Sequence, residues 1–203
     1  MTTLHWADSR LEIHKVVVGP YENNVFVLRC RDTGESILID AANEHDRLLE
    51  LCRRLDVRRV LETHGHHDHI GAVAAMREAG YEVAVASQDA PMLKDVGYDV
   101  FLDDAEVIEV GSLRLHAIHN PGHTPGSISF LVEGSPVLFS GDTLFPGGPG
   151  NTNYGGDFAT IIDSLDNRLF TLPSNTVVMP GHGVDTTIGN ERPHLAHWVE
   201  RGW

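Results

Sequence analysis

The run His64-Gly65-His66-His67-Asp68-His69 constrains this chain more than any other segment does. It holds four histidines and one aspartate within six positions, where the apolar pair Val60-Leu61 gives way to a predicted helix from Ile70. Imidazole nitrogens and carboxylate oxygens are common ligands of divalent transition metals. The alternative is a solvated loop with chance histidines, but this density of ligand types at a strand-to-helix corner favours a metal site.

The spacing within this run indicates how its side chains converge. Because side chains alternate along a strand, His64 and His66 share one face if the strand continues through them. Asp68 and His69 lie at the turn into the helix and approach from the other side, while Gly65 removes bulk between the ligands. One turn is thus able to supply ligands to two adjacent metal sites.

Three further segments each carry one ligand-type residue among glycines. They are Pro121-Gly122-His123-Thr124-Pro125-Gly126, Ser140-Gly141-Asp142-Thr143 and Pro180-Gly181-His182-Gly183. Each borders a predicted strand, and glycine lets a backbone turn sharply and approach a metal closely. A single aspartate in a Gly-Asp turn is more often a turn former, so each segment is weak evidence alone. In combination with the first run, they predict one centre built from several loops.

Apolar patterning predicts a mixed α/β fold. The first half alternates strands with helices, which indicates β-α-β units, and from residue 106 onward closely spaced strands indicate hairpins. Predicted strands lie within 11–31 and at 36–40, 59–61, 82–86, 107–110, 113–118, 127–132, 136–140 and 177–179. Predicted helices run from an N-cap at Asn43 to residue 55 and at 70–79, 91–96, 158–169 and 191–201. Burying this many apolar strands calls for two mixed sheets flanked by helices, a four-layer αββα sandwich with the ligand loops at one edge.

Length, composition and charge exclude several classes of protein. The 203 residues, 41% hydrophobic and 22% charged, predict a single domain over residues 1–203. No stretch approaches the roughly 20 apolar residues of a membrane span. A formal net charge of −14 repels phosphate backbones, so nucleic acid is not an expected partner. Residues 1–8 lack the basic leader and apolar core of a signal peptide, which predicts a cytoplasmic location. Cys30 and Cys52 are expected to be buried apolar residues rather than a disulfide.

The four motifs, in this order, resemble the metallo-β-lactamase-fold superfamily and, within it, the glyoxalase II-like hydrolases. The resemblance covers nearly the whole chain, and its most specific element is the T-H-x-H-x-D-H run, here Thr63 to His69. It implies an αββα sandwich, in agreement with the patterning. It also implies that one metal is held by His64, His66 and His123, that a second is held by Asp68, His69 and His182, and that Asp142 bridges the two. His67 falls at a variable position of the motif and is not expected to be a ligand, whereas His116 and His119 are expected to have structural or supporting roles.

The resemblance implies a hydrolase acting on a small-molecule substrate with two divalent metals, zinc being expected and iron or manganese possible. Such a pair lowers the pKa of a shared water, so that hydroxide is available near neutral pH, and polarises the carbonyl under attack. Asp68 is the expected catalytic residue, orienting the hydroxide or passing its proton to the leaving group. A thiolate leaving group needs little acid assistance, which suits the thioester hydrolysis that the resemblance implies. Lactamase branches typically have Cys or Ser at the position of Asp142, so the aspartate favours the glyoxalase II-like and lactonase-like branches.

Two departures from glyoxalase II bear on the substrate. Those enzymes carry a C-terminal helical region with basic contacts for glutathione, whereas this sequence ends about twenty residues after His182 and has only two lysines, Lys15 and Lys94. In the loop after Asp142, Asn151, Asn153 and Tyr154 stand where similar proteins have Arg, Asp and Phe. This loop is either a structural glycine-rich connection or an uncharged lining of the substrate site. Even if the protein hydrolyses thioesters, glutathione thioesters are therefore not the expected substrates.

Other functions remain open at this point. A persulfide dioxygenase of the same fold would use one iron, held here by His64, His123 and Asp142. A lactonase is a further hydrolytic alternative. The non-enzymatic alternative is a metal-stabilised binding module, which is disfavoured because all seven ligand positions are filled. The residues do not indicate an oligomeric state.

Overall fold

Seven strands form the first of two mixed sheets in the computed structural model, which describes residues 3–202. In spatial order they are β1 (Leu4–Ala7), β2 (Leu11–Val18), β3 (Asn23–Cys30), β4 (Ser36–Ile39), β5 (Val57–Leu61), β6 (Glu82–Ala86) and β7 (Val100–Leu102). The pairs from β1 to β4 are antiparallel and those from β4 to β7 are parallel. Runs of valine and isoleucine favour these strands because β-branched side chains pack well on a pleated surface.

The second sheet has six strands and follows the glycine-punctuated half of the sequence. Its strands are β8 (Val107–Val110), β9 (Leu113–His119), β10 (Ile128–Val132), β11 (Val137–Gly141), β14 (Val177–Pro180) and β15 (Thr186–Thr187), in the spatial order β15-β14-β11-β10-β9-β8. The pairs β8–β9, β9–β10 and β10–β11 are antiparallel, so the predicted hairpins are confirmed. A separate small hairpin is formed by β12 (Leu144–Phe145) and β13 (Gly148–Pro149).

Helices cover the outer faces of the two sheets. They are α1 (His45–Leu55), α2 (Val73–Glu78), α3 (Phe158–Ser164), α4 (Ile188–Glu191) and α5 (Leu195–Arg201), with 3-10 turns at Ala90–Leu93 and Arg192–His194 and a π-helical turn at Leu165–Leu169. Between residues 3 and 202, no helix combines the length and apolar character needed to cross a bilayer.

The apolar core is divided into three clusters that correspond to the contacts between four layers. Along β3, Phe26, Leu28 and Cys30 face the cluster between the sheets, whereas Val25 and Val27 face the cluster that includes residues of α1 and α2. Leu138 of β11 belongs to a third cluster with Leu165 and Trp198 on the outer side of the second sheet. The predicted αββα sandwich is confirmed, because each sheet buries one face against the other sheet and its second face against helices.

Strand direction explains why the ligand-bearing segments meet. β9 and β11 are each antiparallel to β10, and β14 is parallel to β11, so β9, β11 and β14 all end at the same edge of the second sheet. The segments that follow these strands carry His123, Asp142 and His182. The segment after β5 in the first sheet carries the histidine-rich run, and the isolated bridge between Asn23 and His182 joins the two sheets at this edge.

β5 ends at Leu61, where the sequence predicted its end, so the condition under which His64 and His66 would share a strand face is not met. Several predicted helix boundaries were wrong. The second helix begins at Val73 rather than at residue 70, because the segment before it is held against the preceding loop by a hydrogen bond from Ala72 N–H to the carbonyl of Ala41. Gly71 allows this approach, since a Cβ there would lie 2.6 Å from the carbonyl oxygen of Ala42.

The other corrections concern helix ends. The N-cap of α1 is Glu44 in the left-handed region rather than Asn43, whose side-chain oxygen instead accepts a hydrogen bond from the Glu44 N–H. The predicted helix at 191–201 is divided by the 3-10 turn that contains Pro193, because proline lacks the N–H of a regular helix. The predicted helix at 91–96 is the 3-10 turn Ala90–Leu93. The short edge strands β1, β7 and β15 carry too few residues for a periodic pattern and were not predicted.

Candidate metal centre

The first group of candidate ligands comes from the loops after β5 and β9. Nδ1 of His66 lies 2.8 Å from Nε2 of His123, and Nε2 of His64 lies 3.2 Å from the same atom. Nitrogens bound to one tetrahedral zinc at about 2.0–2.1 Å lie roughly 3.3 Å apart. These three histidines are therefore close to the spacing that one metal ion requires.

The second group comes from the turn after His66 and from the loop after β14. Nε2 of His69 lies 3.2 Å from Nε2 of His182, and Oδ2 of Asp68 lies 3.6 Å and 3.4 Å from these two atoms respectively. His69 is fully buried, whereas Asp68 and His182 are partly exposed, and Asp68 also lines a cavity. This group has the ligand types and the spacing for a second metal ion.

Asp142 lies between the two groups. Its Oδ2 is 3.7 Å from Nε2 of His123 in the first group and 3.5 Å from Nε2 of His182 in the second. Its Oδ1 lies 3.5 Å from Nε2 of His69, is buried and has no hydrogen-bond partner within residues 3–202. A buried carboxylate oxygen without a partner is costly, and a cation between the two groups would satisfy it.

The second ring nitrogen of each candidate histidine ligand contacts an oxygen atom. Nδ1 of His69 donates to Oδ2 of Asp40 at 2.8 Å, and Nδ1 of His64 donates to the Thr63 hydroxyl at 3.0 Å. The remaining three nitrogens donate to backbone carbonyls, from His66 Nε2 to Tyr154, from His123 Nδ1 to Asn151 and from His182 Nδ1 to Tyr21. Such bonds fix the tautomer of the neutral ring, so that its other nitrogen can direct a lone pair towards a bound cation. Neighbouring carboxylates outweigh burial and raise the pKa of His69 and of His182, so these two rings would release a proton when a metal ion binds. Five converging lone pairs and two carboxylates fit divalent metal ions.

Burial and the neighbouring side chains set the pKa values of the candidate ligands. Burial, followed by the neighbouring His69 and His123, holds the pKa of His64 well below its ordinary value. Burial opposes ionisation of Asp142, but the neighbouring imidazoles, His69 above all, outweigh it and lower the pKa of the carboxyl. For Asp68, burial is likewise outweighed by the hydrogen bond with His182 and the charge of His69, so its pKa is also lowered. Both carboxylates therefore remain ionised beside neutral His64, which is the state that binds cations.

Known proteins are similar to this chain over most of its length. The sequence model described as the metallo-beta-lactamase superfamily matches residues 18–182. The chain belongs to this superfamily. Among its curated relatives is hydroxyacylglutathione hydrolase GloC of Haemophilus influenzae, which is 32% identical over 203 residues that cover 90% of this chain and 95% of the relative.

Solved structures of the superfamily show the same fold. The B3 metallo-beta-lactamase BLEG-1 is 31% identical, with a TM-score of 0.82 over 91% of this chain and 98% of that chain. The protein TTHA1623, solved in a di-iron-bound form, is 31% identical, with a TM-score of 0.78 over 88% of this chain and 96% of that chain. Because relatives at similar identity include one named a hydroxyacylglutathione hydrolase and one named a metallo-beta-lactamase, sequence identity to these superfamily members does not separate the substrate classes.

Three further histidines, which the sequence predicted not to be ligands, make contacts outside the two candidate ligand groups. His67 is exposed and its ring packs edge-on against Tyr21, with centroids 5.5 Å apart. Nε2 of His119 contacts the carbonyl of Pro125 at 2.9 Å and so supports the loop that carries His123. His116 pairs with Glu133 at 2.6 Å, away from the candidate ligands.

Two supporting carboxylates were not predicted from the sequence. Asp40, directly after β4, accepts hydrogen bonds from the Thr63 N–H at 2.7 Å and the Thr63 hydroxyl at 2.9 Å, in addition to the one from His69. Asp89 is fully buried and accepts hydrogen bonds from the Gly65 N–H at 2.9 Å, the Thr124 hydroxyl at 2.7 Å and the Gly126 N–H at 2.7 Å. Asp89 thus joins the two loops that carry the first ligand group.

Asn23 was also missed, although it contacts a predicted catalytic residue. Its side-chain amide donates a hydrogen bond to Oδ2 of Asp68 at 3.0 Å, and Asn23 itself is almost completely buried. It is the first residue of β3, and its signal in the sequence is weak because asparagine is ordinary at a strand end after a turn.

A cavity of about 390 Å³ opens onto the centre. It is lined by Tyr21, His66, His67, Asp68, His123, Asp142, Asn151 and Tyr154. Two of the three residues predicted to line the substrate site, Asn151 and Tyr154, are in this lining. Asn153 is not, and its N–H donates to the side-chain oxygen of Asn151 at 2.7 Å.

Proposed function

We propose that this protein hydrolyses thioesters with the help of two divalent metal ions. The first ion would be held by His64, His66 and His123, the second by Asp68, His69 and His182, and Asp142 would contact both. Zinc is the metal expected from the histidine-rich ligand set, and iron or manganese would fit the same nitrogen and oxygen ligands.

The observation that carries this proposal is the position of Asp142 between two complete ligand groups. A single iron held by His64, His123 and Asp142 would leave the second group without a role. Yet His69 and His182 approach each other to 3.2 Å, and each has its other ring nitrogen held by an oxygen atom. Assembly of this second group supports a two-metal hydrolase over a mononuclear iron dioxygenase.

A pair of divalent ions would supply hydroxide near neutral pH and polarise the substrate carbonyl. The protein's own contribution is to orient the reactants in the cavity. Asn23 donates a hydrogen bond of 3.0 Å to Asp68 and so restricts the orientation of this carboxylate. In the proposed mechanism, Asp68 would orient the attacking water and accept its proton. A thiol has an ordinary pKa of about 8.5, so a thiolate departs without a proton from the enzyme. Thioesters therefore suit a site whose acid-base group is a carboxylate.

Two further findings support this substrate class. The relative from Haemophilus influenzae is named a hydroxyacylglutathione hydrolase, and a hydroxyacylglutathione is a thioester. The cavity volume of about 390 Å³ is within the range of roughly 300–1,000 Å³ that is usual for small-molecule sites.

A substrate panel tests the proposal. Purified protein loaded with zinc, manganese or iron would be assayed with a thioester, an acyl-lactone, a β-lactam and, under oxygen monitoring, a persulfide. We expect thioester hydrolysis to exceed the other activities. Oxygen consumption with the persulfide at enzyme-like rates, or preferential cleavage of the lactone or β-lactam, would refute it.

A variant pair tests the role of Asp142. Asp142→Ala is expected to lose the second metal ion and turnover together, whereas Asp166→Ala, which removes an exposed carboxylate from the π-helical turn, should keep both. Full activity of Asp142→Ala would show that the carboxylate does not bridge the metal ions.

A further inference from the structure

Two tyrosines flank the candidate metal centre and are each attached to one of its ligand groups. The backbone carbonyl of Tyr21 accepts a hydrogen bond from Nδ1 of His182 at 2.9 Å. The backbone carbonyl of Tyr154 contacts Nε2 of His66 at 3.2 Å. The backbone at both tyrosines is therefore held by the centre itself, one on the side of each ligand group.

The side chains of these tyrosines remain accessible beside the cavity. Tyr21 is 59% exposed and Tyr154 is 74% exposed, and both line the cavity. The ring of Tyr21 is additionally placed by its edge-on contact with His67, at a centroid distance of 5.5 Å. Because the backbone of each tyrosine is already held, only the side-chain torsions remain to be ordered when a ligand binds, and the rings offer a large apolar surface.

The charges around the cavity disfavour anionic groups on the substrate. The lining residues within the described part of the chain include the carboxylates of Asp68 and Asp142 but no lysine or arginine. Metal ions would offset these carboxylates at the scissile carbonyl, but a carboxylate elsewhere on the substrate would find no lysine or arginine in the described lining. Lys15 is directed to the carbonyl of Gly183, to which it donates a hydrogen bond of 2.8 Å. Arg201 lines a neighbouring cavity of about 300 Å³ together with Asn151.

We propose that Tyr21 and Tyr154 bind an uncharged apolar or aromatic group of the substrate, so that neutral thioesters are preferred to thioesters that carry carboxylates, such as those of glutathione. This inference rests on the proposed thioesterase function. It assigns the substrate preference to the two tyrosine rings and to the absence of lysine and arginine from the described lining.

The charge preference is tested with two thioesters that differ by one carboxylate. S-benzoyl-N-acetylcysteine and its methyl ester have the same acyl group and nearly the same size. We expect kcat/KM to be at least about tenfold higher for the methyl ester. The carboxylate of the acid would lie near the carboxylates of the cavity, and a modest unfavourable interaction free energy is enough for a factor of ten. Equal values, or a preference for the acid, would overturn the inference. If the wild type prefers the acid and Arg201→Gln does not, the neighbouring cavity binds the anionic group instead, which also overturns the inference.

The role of the tyrosines is tested by binding rather than turnover. The probe is the neutral thioether S-benzyl-N-acetylcysteine methyl ester, which cannot be hydrolysed at sulfur, and its Kd for the metal-loaded protein is measured by calorimetry. Tyr21→Ala and Tyr154→Ala are each expected to weaken binding roughly tenfold with metal content unchanged, as loss of an aromatic contact implies. The corresponding Phe variants should bind like the wild type. Phe101→Ala, which removes a 49% exposed ring that does not line the cavity, is the matched control. Unchanged affinity in both Ala variants would overturn the inference.

These measurements separate the inference from the function on which it rests. If neither thioester is hydrolysed but the Ala variants still bind the thioether more weakly, the thioesterase proposal fails and the assignment of the tyrosines stands. If both thioesters are hydrolysed equally and the Ala variants bind normally, hydrolysis stands and the inference fails.

Discussion

The carboxylate of Asp89 accepts a hydrogen bond of 2.9 Å from the backbone N–H of Gly65, the residue between the candidate ligands His64 and His66. The same carboxylate accepts hydrogen bonds from Thr124 and Gly126, which follow His123 in the next ligand loop. One buried side chain that is 24 residues from Gly65 and 37 from Gly126 in sequence therefore sets the spacing of the first ligand group.

Replacing Asp89 should weaken the first metal site selectively. In Asp89→Asn, an NH2 group replaces one acceptor oxygen and faces loop donors that then lack a partner, which is costly in a buried position. Loss of a supporting partner of metal ligands typically lowers metal affinity or activity by about 10–100-fold. In a competition with a chelator, we expect the affinity for one of the two bound metal ions to fall by this factor. Asp95→Asn, at an exposed carboxylate nearby, should match the wild type; wild-type affinity at both sites in Asp89→Asn would contradict the role of Asp89.

Gly181 should be sensitive to a single added methyl group. A Cβ at this position would collide with Oδ1 of Asp142 and lie 2.7 Å from Cε1 of His69. Gly181→Ala is therefore expected to reduce bound metal and turnover together. At Gly148 the nearest atom to such a Cβ is Nη2 of Arg201 at 3.6 Å, so Gly148→Ala should retain both. Metal quantification on both variants decides, and a fully loaded, active Gly181→Ala protein would refute the predicted collision.

His66 and His67 provide a test with adjacent residues of the same type. His66 faces His123 at 2.8 Å, whereas His67 is exposed and contacts Tyr21. We predict that His66→Ala lowers the metal content by one equivalent and abolishes most activity, while His67→Ala keeps two equivalents per chain. Loss of a metal ion in His67→Ala alone would mean that the ligands of the first group are wrongly assigned.

Metal removal should lower the melting temperature. A ligand present at about 100 times its Kd stabilises the folded state by roughly 2.7 kcal/mol, and each kcal/mol shifts Tm by about 2–4 °C in a domain of this size. Exhaustive chelation is thus expected to lower Tm by roughly 5–10 °C, and restoring zinc should reverse the change. The shift should be smaller in Asp142→Ala. A calorimetric scan that shows the same Tm with and without metal would contradict metal binding by the folded state.

The seven candidate ligands could be predicted because each lies in a short motif with ligand chemistry of its own. The αββα layers could be predicted because apolar strands such as that of Val25, Phe26 and Val27 are too many to bury without two sheets and covering helices, and these three residues do contribute to two different apolar clusters. The supporting roles of Asp40 and Asp89 could not be predicted, because an isolated aspartate near a strand end has many roles. Their contacts with the ligand loops form only when distant segments of the chain are folded together. The start of α2 was missed because contacts with Ala41 and Ala42 override local helix propensity at residues 70–72. The single domain over residues 1–203 and the cytoplasmic location stay predictions.

The most direct test of the two-metal account is a titration of metal-free protein with zinc, in which bound metal and thioester hydrolysis are measured in the same samples. We predict that binding saturates at two ions per chain and that hydrolysis reaches its maximum only with the second equivalent. Saturation at one ion with full activity, or oxygen-dependent persulfide turnover by a form with one iron per chain, would contradict it.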